Sequence, residues 1–219
     1  MEKVNCIVCD SHTNSVYMEL INDKSNEKFI LTKCQCELIF LNPRPDLNNI
    51  KKYYSNDYLP HNTRIFSFFN ICYRFAQKFT FYLKYKTIKR TLLNISIGKL
   101  LDIGSGDGRF LDYLNSKSNL EIYADEPFYE LNYPDSEKLK DSSCDIVTMW
   151  HSLEHIHNIH DLFKLIIKKL KKDGLLLIAV PNIDAHERKF FKSNWAAYDA
   201  PRHLYHFNYS SIEKLLSKY

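Results

Sequence analysis

No apolar run in the 219 residues approaches the roughly 20 that a membrane-spanning helix needs, so no transmembrane span is expected. The first residues, Met1-Glu-Lys-Val-Asn, lack an apolar signal core, which argues against export and for a cytoplasmic protein. No internal repeat and no low-complexity stretch is present. Charge of one sign is not in large excess: 30 Lys+Arg against 26 Asp+Glu leave +4, too little to point to nucleic acid. Glycine is scarce as well. Only five occur, and Gly104, Gly106 and Gly108 fall within five positions, so the chain uses the residue at one place above all. What remains is ordinary globular material, 45% hydrophobic and 26% charged, long enough for one or two domains with a real core.

Three segments differ in character. Residues 1–45 hold four of the six cysteines and two alternating, strand-like runs, Val16–Ile21 and Phe29–Thr32, with a turn at Asn22–Asn26 and closure at Pro43 and Pro45. Residues 46–95 are helical in pattern and aromatic, a linker or lid. Between Arg64 and Arg90 they carry seven Lys/Arg and no acid, read as an amphipathic helix pair packing its Phe and Tyr on the next domain or as a cationic cover. Residues 96–219 alternate short apolar strands with helices. The strands are Lys99–Ile103, Leu120–Ala124, Cys144–Trp150 and Gly174–Val180. The helices are Arg109–Ser116 and Asn158–Lys172, the second with Gly174 just past its end. Ser210-Ser-Ile-Glu213 reads as a capping box opening a last helix. That alternation predicts an α/β fold around a mostly parallel sheet.

The glycines lie where the first of these strands turns into a helix, in Asp102-Ile-Gly-Ser-Gly-Asp-Gly-Arg-Phe110. Glycine there admits φ > 0 and close approach of backbone to a ligand, and open α/β sheets bind ligands at such strand ends. The spacing is G-x-G-x-G, not the G-x-G-x-x-G of dinucleotide sites. Asp102 and Asp107 place negative charge beside the loop, which opposes a pyrophosphate and suits a cationic ligand.

With these residues in view, the chain resembles class I S-adenosylmethionine-dependent methyltransferases. Leu101–Phe110 is similar to their first motif, with Gly104, Ser105, Gly106 and Gly108 in the loop. Ala124-Asp-Glu-Pro127 resembles the motif whose acid takes the ribose hydroxyls. Glu126, 22 residues past Gly104, is the candidate and Asp125 the fallback. Asp145–Ile156 is similar to the fourth strand and its following loop, which brings Trp150 and His151 toward the cofactor. Trp195–Phe207 resembles a segment of methyltransferases from sugar and polysaccharide gene clusters. The resemblance implies a Rossmann-like domain, S-adenosyl-L-methionine as cofactor, and a small-molecule acceptor such as a sugar or glycan precursor. A non-catalytic binding module on the same fold and, more remotely, a nicotinamide oxidoreductase are the competing readings. The family places a helix and a third strand between Glu126 and Asp145, but only 18 residues separate them, so the helix should be missing and the strand short or absent. Asp141 is a poor substitute for the acid that would follow. Tyr219 falls near the helix that precedes the family's last two strands, so a shortened sheet with an open edge, prone to self-association, is expected.

Cys6-x-x-Cys9 and, 25 residues on, Cys34-x-Cys36 can supply four thiolates to a structural Zn²⁺. A segment of about 45 residues cannot hold itself together by core burial alone. The alternative is four buried reduced thiols. The resembled enzymes often carry such an N-terminal zinc-ribbon-like β domain, ending in a sequence like Leu38–Pro45 and followed by tyrosines like Tyr53, Tyr54 and Tyr58. Cys72 and Cys144 read as core.

Methyl transfer needs positioning and, for a hydroxyl, amine or carbon acid, a base. Histidine suits that role. His151, Glu154, His155 and His157 follow the third strand; His203 and His206 follow the fourth. The resemblance places His155 and His203 at the acceptor, with Glu154 beside them. Arg202 stands where sugar C-methyltransferases have glutamate, which leaves the methylated atom open. His151-Ser-Leu-Glu-His155 also matches the H-x-x-E-H of inverted zinc peptidases, a match that requires a helix.

Overall fold

The computed structural model describes residues 1–22, 25–54, 68–91, 98–127, 129 and 131–219. Tyr58, Asp23 and Lys24 of the expected Asn22–Asn26 turn, and residues 55–67 and 92–95 of the 46–95 segment lie outside the described residues, as does the side chain of Cys72. The chain forms two compact units that interleave in sequence and cross the boundaries read at 45 and 95. One comprises Met1–Ser55, His151–Ile167 and Ile178–Tyr219, the other Asn56–Trp150 and Lys168–Leu177.

In the first unit β1 (Asn14–Ile21), β2 (Lys28–Cys34) and β3 (Ile39–Leu41) form an antiparallel meander. A fourth strand from far along the chain, β8 (Tyr205–His206), completes it by pairing with β3 in the register Ile39↔His206 and Phe40↔Tyr205. Apolar Ile39, Phe40 and Leu41 are buried throughout because a strand flanked on both edges in a small sheet becomes its core. The buried Arg44 fastens the edge. Its Nε donates to Glu2 Oε1 at 2.7 Å and its guanidinium to the Tyr205 hydroxyl at 2.6 Å, while His157 Nε2 donates to the Pro45 carbonyl at 2.9 Å. This unit ends in α5 (Tyr209–Leu216). Its N-cap is Asn208, whose side chain accepts from Ser211 N while the Ser211 hydroxyl accepts from the cap backbone. The capping box thus lies two residues earlier than Ser210, because the amide oxygen of Asn208 reaches the third helical N–H.

The second unit holds α1 (Phe68–Thr91), β4 (Lys99–Ile103), α2 (Arg109–Asn115), β5 (Glu121–Asp125), β6 (Cys144–Trp150) and most of β7 (Leu170–Ala179). The strand order is β5-β4-β6-β7, with β4 parallel to both neighbours. Among the described residues no helix or strand lies between Asp125 and Cys144, as the short spacing requires. Leu100, Ile122 and Ile146 from the strands and Phe110, Leu111 and Leu114 from α2 make the core, and Ile88, Phe81 and Tyr85 of α1 pack on it. Phe75 and Phe79 of the same helix stay exposed. Asp141 pairs with Lys168 and Lys169.

The helix α3 (Ile159–Lys169) ends sooner than expected and β7 begins directly after it. Gly174 is therefore inside a strand, not at a helix end. A Cβ there would stand 3.0 Å from the Cys144 carbonyl and 2.9 Å from Leu170 Cδ2, so close packing of β7 on β6 is what selects glycine. No described helix is long and apolar enough to cross a membrane.

Candidate functional site

The glycine loop turns out of β4 as expected. Gly104, Gly106 and Gly108 have φ of 76°, 58° and 75°, a left-handed backbone that costs other residues about 1–2 kcal/mol each. The Gly104 N–H donates to the Asp125 carbonyl at 2.8 Å, which locks the turn to the end of β5. The Gly106 N–H donates to Glu126 Oε2 at 2.8 Å, so the acid read as the ribose partner lies against the loop. A Cβ built on Gly106 meets no atom within 4 Å, which leaves a cradle open beside the loop backbone. Asp125 is engaged elsewhere: its carboxylate accepts from Ser136 N at 2.8 Å and anchors the segment after β5.

The charges differ from expectation. Asp102 is 3% exposed and accepts from the Thr148 hydroxyl, tying β4 to β6. Burial pushes its carboxyl above the usual range. Its negative charge is thus inside the sheet rather than beside the loop. Asp107 is paired with Arg109. The acid facing the loop is Glu126. Ser105 donates back to the Asp102 carbonyl at 3.1 Å. Trp150 closes β6 with its ring edge-on to Phe110 and under the Lys84 ammonium at 5.1 Å. Its buried Nε1 has no hydrogen-bond partner among the described residues, an unused donor that fits a ligand contact. Thr148 escaped the sequence reading, although a hydroxyl within an apolar strand was its signal.

The first unit gathers the second set of residues. After β6 the backbone turns at His151, φ 58°, and makes one 3₁₀ turn, Leu153–His155. The H-x-x-E-H stretch is therefore not helical, His151 is 60% exposed, and the peptidase arrangement does not form. The Glu154 carbonyl accepts from Leu204 N at 2.8 Å, and the Leu204 carbonyl accepts from Leu41 N at 2.9 Å. This ladder sets His203 against the turn. The His155 and His203 rings meet edge to face, centroids 4.6 Å apart. His155 Nδ1 lies 3.0 Å from both the Arg202 carbonyl and the Tyr54 hydroxyl, and His203 Nδ1 lies 2.8 Å from the Ala197 carbonyl. Carbonyls only accept, so each Nδ1 carries its proton and each Nε2 a lone pair. Burial and then the neighbouring His203 push His155 down to about 4. Burial pushes the Glu154 carboxyl up, but His151, His203 and His155 around it bring it below the ordinary value. Arg202 forms a fork on Asp199.

His206 on β8 is 3% exposed, and burial followed by the charge of His203 pushes it down to about 3. A histidine neutral when folded and ordinary when unfolded binds its proton mainly in the unfolded state. Stability is therefore full above about pH 6.5 and falls as pH drops toward 3, by up to about 1.4 kcal/mol per pH unit. Denaturant melts between pH 7 and pH 5 should show this decline, and His206→Phe should make it shallower, leaving the part contributed by His155, which burial holds down in the same way. An equally steep decline in that variant would assign it to other groups.

The four cysteines also converge. Cys6, Cys9, Cys34 and Cys36 place their sulfurs within 4.8 Å of one another, with Cys6–Cys36 and Cys9–Cys34 at 3.4 Å. A tetrahedral zinc with Zn–S near 2.3 Å sets sulfurs about 3.8 Å apart, so the cluster fits the ion. Each pair is followed by a tight turn through a left-handed residue, Asp10 at φ 57° and Glu37 at φ 81°, and backbone N–H groups of Val8 and Cys9 point at the Cys6 sulfur. From α5, Lys214 donates to the Cys36 carbonyl, and beyond it Lys218 donates to the Ile7 carbonyl. Cys144 is buried in the sheet.

Among curated proteins no sequence relative matches the chain. A family described as "Methyltransferase domain" matches residues 75–219. Among solved structures, the chain is similar to the Burkholderia thailandensis 1,6-didemethyltoxoflavin-N1-methyltransferase with bound 1,6-didemethyltoxoflavin and S-adenosylhomocysteine. The identity is 14% and the TM-score 0.54, over 92% of this chain and 87% of that one. It is also similar to Haemonchus contortus phosphoethanolamine N-methyltransferase 2 in complex with S-adenosyl-L-methionine, at 21% identity and a TM-score of 0.45, over 63% of this chain and 36% of that one. With the match covering most of its length, the chain belongs to the methyltransferase-domain family, as an S-adenosyl-L-methionine-dependent methyltransferase.

Proposed function

We propose that the chain transfers a methyl group from S-adenosyl-L-methionine to a hydroxyl-rich small molecule, a sugar or glycan precursor. The observation that carries the donor assignment is the left-handed glycine loop with an open cradle at Gly106 and the Glu126 carboxylate on its N–H. When bound, the donor supplies an electrophilic methyl on a sulfonium. Glu126 would hold its ribose hydroxyls, the loop amides its polar edge, and the Trp150 indole N–H a further acceptor atom.

The acceptor assignment is supported by a cavity of about 730 Å³ in the first unit, lined by Asn22, Glu27, Lys52, Trp195, Asp199 and Arg202 among others. Carboxylates, amide and cations around one aromatic wall suit a polyhydroxylated ligand. His203 would take the acceptor proton through Nε2. His155, held neutral by burial, orients the site. A structural Zn²⁺ on Cys6, Cys9, Cys34 and Cys36 would hold the N-terminal sheet.

The test is release of S-adenosylhomocysteine on incubation with S-adenosyl-L-methionine and a panel of nucleotide sugars. Turnover with at least one member is expected, and none with any sugar would overturn the acceptor class. In His203→Ala, kcat should fall by roughly 10²–10⁴. Undiminished turnover would remove His203 from the role.

A further inference from the structure

We infer that Glu154, His155 and His203 form a binding site for a divalent transition-metal ion, distinct from the four-cysteine cluster. One ligand atom from each of the three lies within 4.8 Å of the others. The Glu154 side chain is 1% exposed, and neither carboxylate oxygen has a hydrogen-bond partner among the described residues. The nearest cationic candidate, His151 Nδ1, stands 3.6 Å from Oε1, too far for a hydrogen bond. A buried carboxylate without a donor is costly, and a cation relieves the cost.

The histidines carry an independent mark. Each has its Nδ1 set against a backbone carbonyl, Arg202 at 3.0 Å and Ala197 at 2.8 Å. This outer contact fixes the tautomer of metal-binding imidazoles and aims Nε2 at the ion. Two imidazoles and one carboxylate match the preference of divalent zinc, cobalt, iron and manganese, with coordination positions left open. Bond lengths near 2.1 Å set such ligand atoms roughly 3–3.5 Å apart, inside the 4.8 Å span that holds the three.

The inference rests on the methyl-transfer reading for its use but not for its evidence. A cation in an open site lowers the pKa of a hydroxyl bound to it. It would take over acceptor activation from His203, with the proton passing to solvent.

The experiment titrates the full chain, its cysteine cluster filled with zinc, with Co²⁺. Absorption, calorimetry and the imidazole resonances are followed by NMR. One equivalent of Co²⁺ is expected to bind, with d–d bands, no thiolate charge-transfer band, and paramagnetic shifts on His155 and His203. Glu154→Gln and His203→Ala should each weaken binding at least tenfold. No cobalt bound by the wild-type chain overturns the site without recourse to a variant. So does cobalt that leaves both imidazoles unshifted, or unchanged affinity in Glu154→Gln. Methyl transfer by a chain that binds no cobalt sinks the site and spares the catalytic reading; cobalt binding in a chain that transfers no methyl does the reverse.

Discussion

Replacing Cys6 or Cys9 with serine is expected to abolish zinc binding at the proposed four-cysteine site and to destabilise the sheet β1-β2-β3-β8. A structural zinc of this kind supplies on the order of 10 kcal/mol of folding free energy at neutral pH, more than the whole stability of many domains. The cysteine-bearing end of the sheet has little to set against that loss. In β1 only Leu20 is buried, and the turns Cys6–Ser11 and Cys34–Leu38 are each closed by two backbone hydrogen bonds beside the sulfurs. Without metal, burial pushes the Cys6 and Cys36 thiols up, Cys6 the further, so these two must give up protons to bind zinc. Zinc affinity should therefore weaken steeply as pH falls. Metal analysis with far-ultraviolet circular dichroism measures both effects. A Cys6→Ser chain that holds no zinc yet melts like the wild type would show that the sheet stands without it.

Gly106→Val is expected to weaken S-adenosyl-L-methionine binding by on the order of 100-fold, about 2.7 kcal/mol, with a smaller loss of stability. The glycine sits at φ 58° with no atom near its missing Cβ. A side chain there meets only backbone strain of about 1–2 kcal/mol in the free protein, yet it fills the cradle. Gly108→Val is the control. Its Cβ would press on Leu131 Cδ2 at 3.0 Å and its φ is 75°, so that substitution acts through packing and backbone strain rather than by filling the cradle. Calorimetry with the donor beside thermal melts separates the two effects. Unaltered donor affinity in Gly106→Val would remove the loop from the binding site.

The strand Cys144–Trp150 was legible to the residue, because a short, largely apolar run bounded by polar turns and alternating with helices reads as a buried strand. The glycine loop was equally legible, since only a left-handed turn explains three glycines in five positions. The second role of Asp102 was not. Whether a carboxylate faces a ligand or a neighbouring strand depends on a partner 46 residues away, Thr148, and no local pattern encodes that. Gly174 was misplaced for a similar reason. A helix end and a close strand approach both demand glycine, and the choice is made by Cys144 across the sheet. The cluster of Glu154, His155 and His203 was half visible: the residues stood out as chemistry, but the ladder through Leu204 that assembles them is tertiary.

Strand β8 has a temporal consequence. Its partner β3 leaves the ribosome more than 160 residues earlier, so through most of synthesis the β3 edge of the nascent sheet stays unpaired and the sheet cannot be finished. The cysteine turns face the same delay, because the lysines that reach their carbonyls, Lys214 and Lys218, are translated among the last. Such high contact order slows folding and keeps the early edge open to mispairing until the distant residues arrive.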